Sequence, residues 1–101
     1  PEYFQPWLSG FIEAEGHFGL THDTLFNISQ NVDEHIIHSI KDFFGSNHKL
    51  RKTKAQKSNY WLFQITIYGV TLKNIITHIE KNPLLGAKNI SYSKFRLKVL
   101  R

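Results

Sequence analysis

Residues 4–16 read FQPWLSGFIEAEG. The stretch predicts a helix over 4–15, with Pro6 in the first turn and Gly16 in the left-handed position that ends it. Gly10 and Ala14 are four apart, so they lie on one helical face, and small residues so placed let a second helix approach closely. Glu15 falls at the C-terminal end, where the helix dipole disfavours a negative charge. A carboxylate held there invites a purpose, and a hard divalent cation would supply one.

Working outward, residues 17–22 and 25–32 predict two strands joined by a tight turn at Asp23-Thr24. In the second, Phe26 and Ile28 alternate with Asn27 and Ser29, so one face is apolar and the other polar. Asp33 is placed to cap a helix that carries Ile36, Ile37, Ile40, Phe43 and Phe44 inward and stops at Gly45. Residues 48–54 predict a basic strand around Leu50, and 55–58 a turn. Residues 59–68 give the clearest strand, with Trp61, Phe63, Ile65 and Ile67 on one face and Tyr60, Leu62, Gln64 and Thr66 on the other. Gly69 breaks it. Leu72, Ile75, Ile76 and Ile79 mark a further helix that Asn82-Pro83 stops, and 84–100 a weaker one around Tyr92, Phe95 and Val99. The order α-β-β-α-β-β-α-α predicts one α+β domain over 1–101, four strands with helices on one face. The uncovered face is expected to carry Asn27, Ser29, Lys49, Arg51, Tyr60, Gln64 and Thr66.

Composition narrows the function classes. The 101 residues contain no cysteine, which excludes disulfides and thiolate metal sites. No apolar run reaches the ~18–20 residues that a membrane helix needs. The chain also has no methionine, and it reads as processed or excised from something longer. The net charge is +5 and five cations lie between Lys49 and Lys57. A basic run flanking a polar sheet face points to phosphate contact, with Lys49, Arg51, Lys52, Thr53, Lys54 and Lys57 as candidates. His35 and His38, three apart on a helix, are read as partly exposed polar positions ahead of a zinc pair.

Residues 8–16, LSGFIEAEG, resemble the LAGLIDADG motif position by position. Leu8, Gly10, Ile12, Ala14 and Gly16 match. Glu13 and Glu15 replace the two aspartates, and Ser9 and Phe11 are ordinary variants. His17-Phe18 follows as an aromatic often does. The resemblance to LAGLIDADG homing endonucleases extends over nearly the whole chain. It implies an α-β-β-α-β-β-α core with a saddle-shaped antiparallel sheet. It puts the family's metal-binding acid on Glu15, with the carbonyl of Ala14 as a second ligand, and gives Glu13 a structural role. Phe26-x-Ile28-x-Gln30 is similar to the strand ending in an active-site glutamine. Residues 83–88, PLLGAK, are similar to the segment that supplies a basic residue, here Lys88. Two departures stand out: a first hairpin with only two turn residues, which suggests a shorter recognised site, and a brief C-terminal region.

The resemblance implies a DNA endonuclease that uses Mg²⁺ or Mn²⁺ to hydrolyse duplex DNA in intron or intein homing, often in organelles or archaea. Two copies, or this domain and a second one, would pair through Leu8, Gly10, Phe11 and Ala14. Arg51 would read guanine, and Asn27 and Gln64 adenine. The competing reading is a non-cleaving nucleic-acid-binding module such as an RNA maturase for intron splicing. A third is a remnant that folds without function.

Overall fold

The structure, a computed structural model, describes residues 2–31, 33–54 and 60–101. The elements are α1 (Phe4–Glu15), β1 (Gly16–Gly19), β2 (Leu25–Gln30), α2 (Glu34–Phe44), β3 (Arg51–Lys54), β4 (Trp61–Ile67), a 3₁₀ turn (Gly69–Thr71), α3 (Leu72–Lys81) and α4 (Lys88–Val99). The four strands form one antiparallel sheet in the order β1-β2-β4-β3. The helices cover one face, giving the α+β architecture that the periodicities predict. Among the described residues no helix is long and apolar enough to cross a membrane.

The core follows from the two periodicities. Phe26 and Ile28 of β2 and Phe63, Ile65 and Ile67 of β4 alternate inward, where they meet Leu8 and Ile12 of α1, Ile37, Ile40 and Phe44 of α2, and Ile75 and Ile79 of α3. Burying each such side chain contributes about 1.5–3 kcal/mol. Helix α4 adds Tyr92 and Phe95, which close over Phe18 of β1 with ring centroids 5.7 and 4.8 Å away. Asp33 caps α2 by accepting from the His35 N–H at 2.9 Å, and Gly45 ends it in the left-handed region at φ 72°.

Several boundaries differ from those read in the sequence. Gly16 does not close α1 in a left-handed turn: its φ of −77° and ψ of 158° are extended, and it is the first residue of β1. Glycine is needed there for space, because a Cβ would lie 2.8 Å from the Ile12 carbonyl and 3.2 Å from the Phe26 ring. The helix thus passes into the strand without a connecting loop.

The first hairpin closes at the pair Gly19↔Leu25, so residues 20–24 form the connection instead of Asp23-Thr24 alone. Leu25 packs so tightly over Gly19 that a Cβ on the glycine would come within 2.6 Å of it. With five connecting residues, the hairpin gives no ground for a shorter recognised site.

Strand β3 begins at Arg51, leaving Lys49 outside the ladder. Helix α4 begins at Lys88, not at residue 84, because Gly86 and Lys88 spend their N–H groups on Glu13. The turn read at 55–58, Lys57 within it, and the outer strand residues Val32 and Asn59 lie outside the described residues.

Candidate active site and nucleic-acid interface

Helix α1 divides its residues by the 3.6-residue period. Leu8 and Ile12 are 0% exposed and belong to the chain's own core. Leu8 is therefore not available to a partner, which corrects its place in the expected pairing surface. Gly10 and Ala14 are exposed and Phe11 is half-buried. A Cβ on Gly10 would meet nothing within 4 Å, so that side of the helix is open. Trp7, 40% exposed, stacks on Phe11 with centroids 5.1 Å apart, and Phe4 connects Trp7 to Phe43 at 5.7 and 5.3 Å. This aromatic row flanks the small-residue stripe. Trp7 joins the surface beyond the residues expected there, and its spacing of four from Phe11 is the signal that marks it.

Glu15 is exposed at the last helical position. Beside it, Glu13 turns its carboxylate to the start of α4, accepting from Gly86 N–H at 2.8 Å and Lys88 N–H at 3.0 Å. The Lys88 ammonium comes back the other way and donates to the Gly16 carbonyl at 2.5 Å. Lys88 is therefore brought to the residue next to Glu15. Gln30 ends β2 at the end of the sheet where α1 enters, two residues beyond the Gly16↔Ile28 pair, and its amide donates to the Asp33 carbonyl.

The donors at this end suit a hard cation in kind: the Glu15 carboxylate, and the Ala14 carbonyl in the last turn, where helix carbonyls lack an intrahelical partner. They do not suffice in number. Among the described residues no three of His, Asp and Glu gather to hold a metal. An ion on Glu15 would need further oxygens from water, phosphate or a second copy's acid. His35 and His38 sit at exposed positions of α2, and His38 Nε2 lies 3.5 Å from Glu34 Oε2.

The open face of the sheet follows from the register. His17 pairs Asn27, which pairs Thr66; Ser29 pairs Gln64, which pairs Arg51; Leu62 pairs Thr53. These side chains point away from the helices. Asn27 donates its amide to Thr66 Oγ1 at 2.7 Å, which fixes its orientation. His17, Asn27, Arg51, Gln64, Thr66 and Tyr68 line a broad groove of about 730 Å³. His17 and Tyr68 were not among the expected contacts. Phe18 must face the core, and that alone turns His17 outward. Tyr60 is exposed just before β4, and Lys49 just before β3.

Lys52 and Lys54 are corrected. They pair with Phe63 and Trp61 and so lie on the helix side of the sheet. Lys52 Nζ sits 4.9 Å over the Trp61 ring and 3.8 Å from Glu34 Oε1; Lys54 Nζ is 5.9 Å over the same ring. They shield Trp61, which is 43% exposed although it shares the apolar face of β4.

Under the motif helix lies a buried polar pair that the sequence reading missed. His78 of α3 is 3% exposed and its Nε2 lies 3.0 Å from Ser9 Oγ, which in turn donates to the Asn82 carbonyl at 2.6 Å. That hydroxyl can donate only once, so His78 gives its Nε2 proton to Ser9. Its Nδ1 is buried without a partner. Burial lowers its pKa from 6.5 to about 4.

A sequence model described as LAGLIDADG endonuclease matches residues 8–99. A probable intron-encoded endonuclease aI3 from Debaryomyces hansenii is 41% identical over 96 residues, covering 93% of this chain and 13% of the relative. Its namesake from Dictyostelium citrinum is 37% identical over 97 residues, covering 93% and 38%. The chain thus spans well under half the length of these curated relatives. The crystal structure of the homing endonuclease I-TnaI superposes with a TM-score of 0.74 at 26% identity, covering 95% of this chain and 71% of that one. The I-LtrWI LAGLIDADG homing endonuclease, solved bound to target DNA, gives 0.76 at 22% identity and covers 97% and 37%, a likeness of fold.

Proposed function

The chain belongs to the LAGLIDADG endonuclease family, and on that premise we propose that it is one half of a metal-dependent endonuclease acting on duplex DNA. One observation carries the reading: an exposed Glu15 at the end of a helix with an open small-residue face, where that helix enters a sheet whose other side is polar and uncovered.

Each group then has a part. Two copies, or this domain and a second of its kind, pair across Gly10, Phe11 and Ala14, with Trp7 alongside. Pairing sets two Glu15 carboxylates side by side and extends two sheets along one major groove. Arg51, Asn27 and Gln64 read base edges, with Ser29, Thr53, Tyr60 and Thr66 lining the same surface. Asn27, already tied to Thr66, presents its carbonyl oxygen in a fixed place. Lys49 meets phosphate. Glu15 and the Ala14 carbonyl hold Mg²⁺ or Mn²⁺. The ion, when bound, supplies an acidified water and offsets charge on the reacting phosphate. Lys88 keeps a positive charge next to that phosphate, and Gln30 orders water. One phosphodiester per strand is hydrolysed.

A second reading, an RNA-binding module that does not cut, draws support from where the charge lies. Residues 69–101 hold seven lysines and arginines against one acid, Glu80, whereas residues 1–68 hold six against seven. The positive excess thus lies in the C-terminal third, mostly on α3 and α4, with Lys88 and Lys98 reaching back to the Gly16 and Leu20 carbonyls. Plasmid assays with candidate target sites separate the two. Relaxation or linearisation with Mg²⁺ and none with EDTA supports cleavage. Tight RNA binding with no nicking in Mg²⁺ or Mn²⁺ supports the second reading and removes the first.

A further inference from the structure

The ends of α1 and α4 are both charged the wrong way. Helix α1 carries Glu13 and Glu15 in its last turn and no base, so its negative dipole end meets two anions. Helix α4 opens with Lys88, has no acid in its first turn, and its N-cap is Ala87, which offers no side-chain bond. Taken singly, each helix end is unfavourable. The structure brings them together and exchanges the charges. Glu13 bonds the Gly86 and Lys88 N–H groups and so caps α4 from another helix. Lys88 sends its ammonium to the Gly16 carbonyl at the foot of α1.

Gly86 completes the arrangement. A Cβ there would lie 2.7 Å from Glu13 Cδ and 2.9 and 3.0 Å from its two oxygens. No side chain fits at 86 while Glu13 keeps its position. The contact joins residues more than seventy apart in sequence. It is the place where the start of α4 is fastened to the motif helix.

We propose that Glu13 is a positioning residue for Lys88, holding the start of α4 so that the ammonium stays on the Gly16 carbonyl, the residue next to Glu15; its bearing on cleavage rests on the endonuclease reading above. Glu13 neither meets DNA nor holds metal in this arrangement. Its effect on rate passes through Lys88.

The test uses the whole chain and three substitutions. Glu13→Gln removes the charge and leaves one acceptor oxygen. Gly86→Ala displaces the carboxylate while keeping it, so it also covers the case in which Glu13→Gln folds poorly. Lys88→Ala removes the group being positioned. Amide exchange at Gly86 and Lys88, and the Nζ resonance of Lys88, report the contact without any need for activity. Single-turnover cleavage at saturating DNA, with gel shifts in Ca²⁺, reports its consequence. Both first variants should lose amide protection, move the Lys88 Nζ signal, and slow cleavage about 10- to 100-fold with DNA binding kept. Adding Glu13→Gln to Lys88→Ala should slow it no further. Unchanged protection and an unmoved Nζ signal overturn the proposal, as does additive slowing in the double variant. Failure of the unsubstituted protein to cut, both by itself and joined to a second domain of its kind, overturns the endonuclease reading instead, and the exchange and Nζ readouts then decide the contact by themselves.

Discussion

Acid should loosen this protein through one buried group, His78, and the size of the effect can be worked out. His78 packs edge-on against the Phe43 and Phe44 rings at 5.5 and 5.8 Å and shares a cleft with Lys81. It is neutral in the fold, with Nε2–H on Ser9 and a bare Nδ1. Protonation would bury a charge and an unpaired donor. The unfolded chain takes up a proton near pH 6.5 and the folded one only near pH 4. Because the folded pKa is the lower, stability is full above about 6.5 and is lost as pH falls toward 4. The gap is worth about 3 kcal/mol when complete and about 2 kcal/mol at pH 5. Against a total of ~5–15 kcal/mol for a domain of this kind, that is a large share. Urea unfolding at pH 7.5 and 5.0 should show the midpoint falling by roughly 1 M. His78→Leu should cost stability at pH 7.5 but lose less on acidification, since Ser9 keeps its bond to the Asn82 carbonyl. Equal losses in the two proteins would refute the assignment.

Glu15→Gln should abolish Mg²⁺-dependent cleavage by several orders of magnitude while leaving folding and Ca²⁺-supported DNA binding intact, since glutamine keeps the size but not the charge that holds a hard cation; full cleavage by that variant would put the metal elsewhere. Gly10→Leu should weaken pairing by at least ~1–3 kcal/mol through overpacking, without unfolding the monomer, because the site opens away from the chain's own atoms; sedimentation with unchanged association would sink the pairing face. Arg51→Ala should relax preference at one base pair by ~1–3 kcal/mol, and Lys49→Ala should weaken all sequences alike and lower the salt slope by about 1. Lys52→Ala, on the other face, should leave the slope nearly unchanged; a loss equal to that of Lys49→Ala would overturn the two-face assignment.

The fold was legible where periodicity is strong. Phe63, Ile65 and Ile67 alternate, Ile37, Ile40 and Phe44 recur at helical spacing, and both patterns became core. The boundaries that failed were set by contacts across the chain. Gly16 suggested a left-handed stop, but the approach of Ile12 and Phe26 decided its role. The start of α4 was set by Glu13, more than seventy residues away, and nothing local in PLLGAK marks residue 88 as the first helical one. The exchange between Glu13 and Lys88 was half visible. Acids at the end of α1 stand against the dipole in the sequence itself, whereas Lys88 becomes the opposite anomaly only because α4 starts there.

The cation run between 49 and 57 teaches the opposite lesson, because density of charge along a sequence is not density on a surface. A strand turns alternate side chains to opposite faces, so consecutive lysines cannot all meet one ligand. Arg51 and Thr53 pair with Gln64 and Leu62 and look outward, while Lys52 and Lys54 pair with Phe63 and Trp61 and look back toward the helices. Lys52 satisfies Glu34 and both lysines cover an exposed indole, so their charge is spent largely within the domain. Among the described residues the open face keeps few cations and many amides and hydroxyls: Asn27, Ser29, Gln64 and Thr66 beside Arg51. Such a surface binds by matching donors and acceptors to base edges more than by raw attraction to phosphate. Its affinity should therefore depend less on salt than the net charge of +5 suggests. The shallow slope would separate it from the helix layer, where most of the excess charge resides and any polyanion held would be released by salt alone.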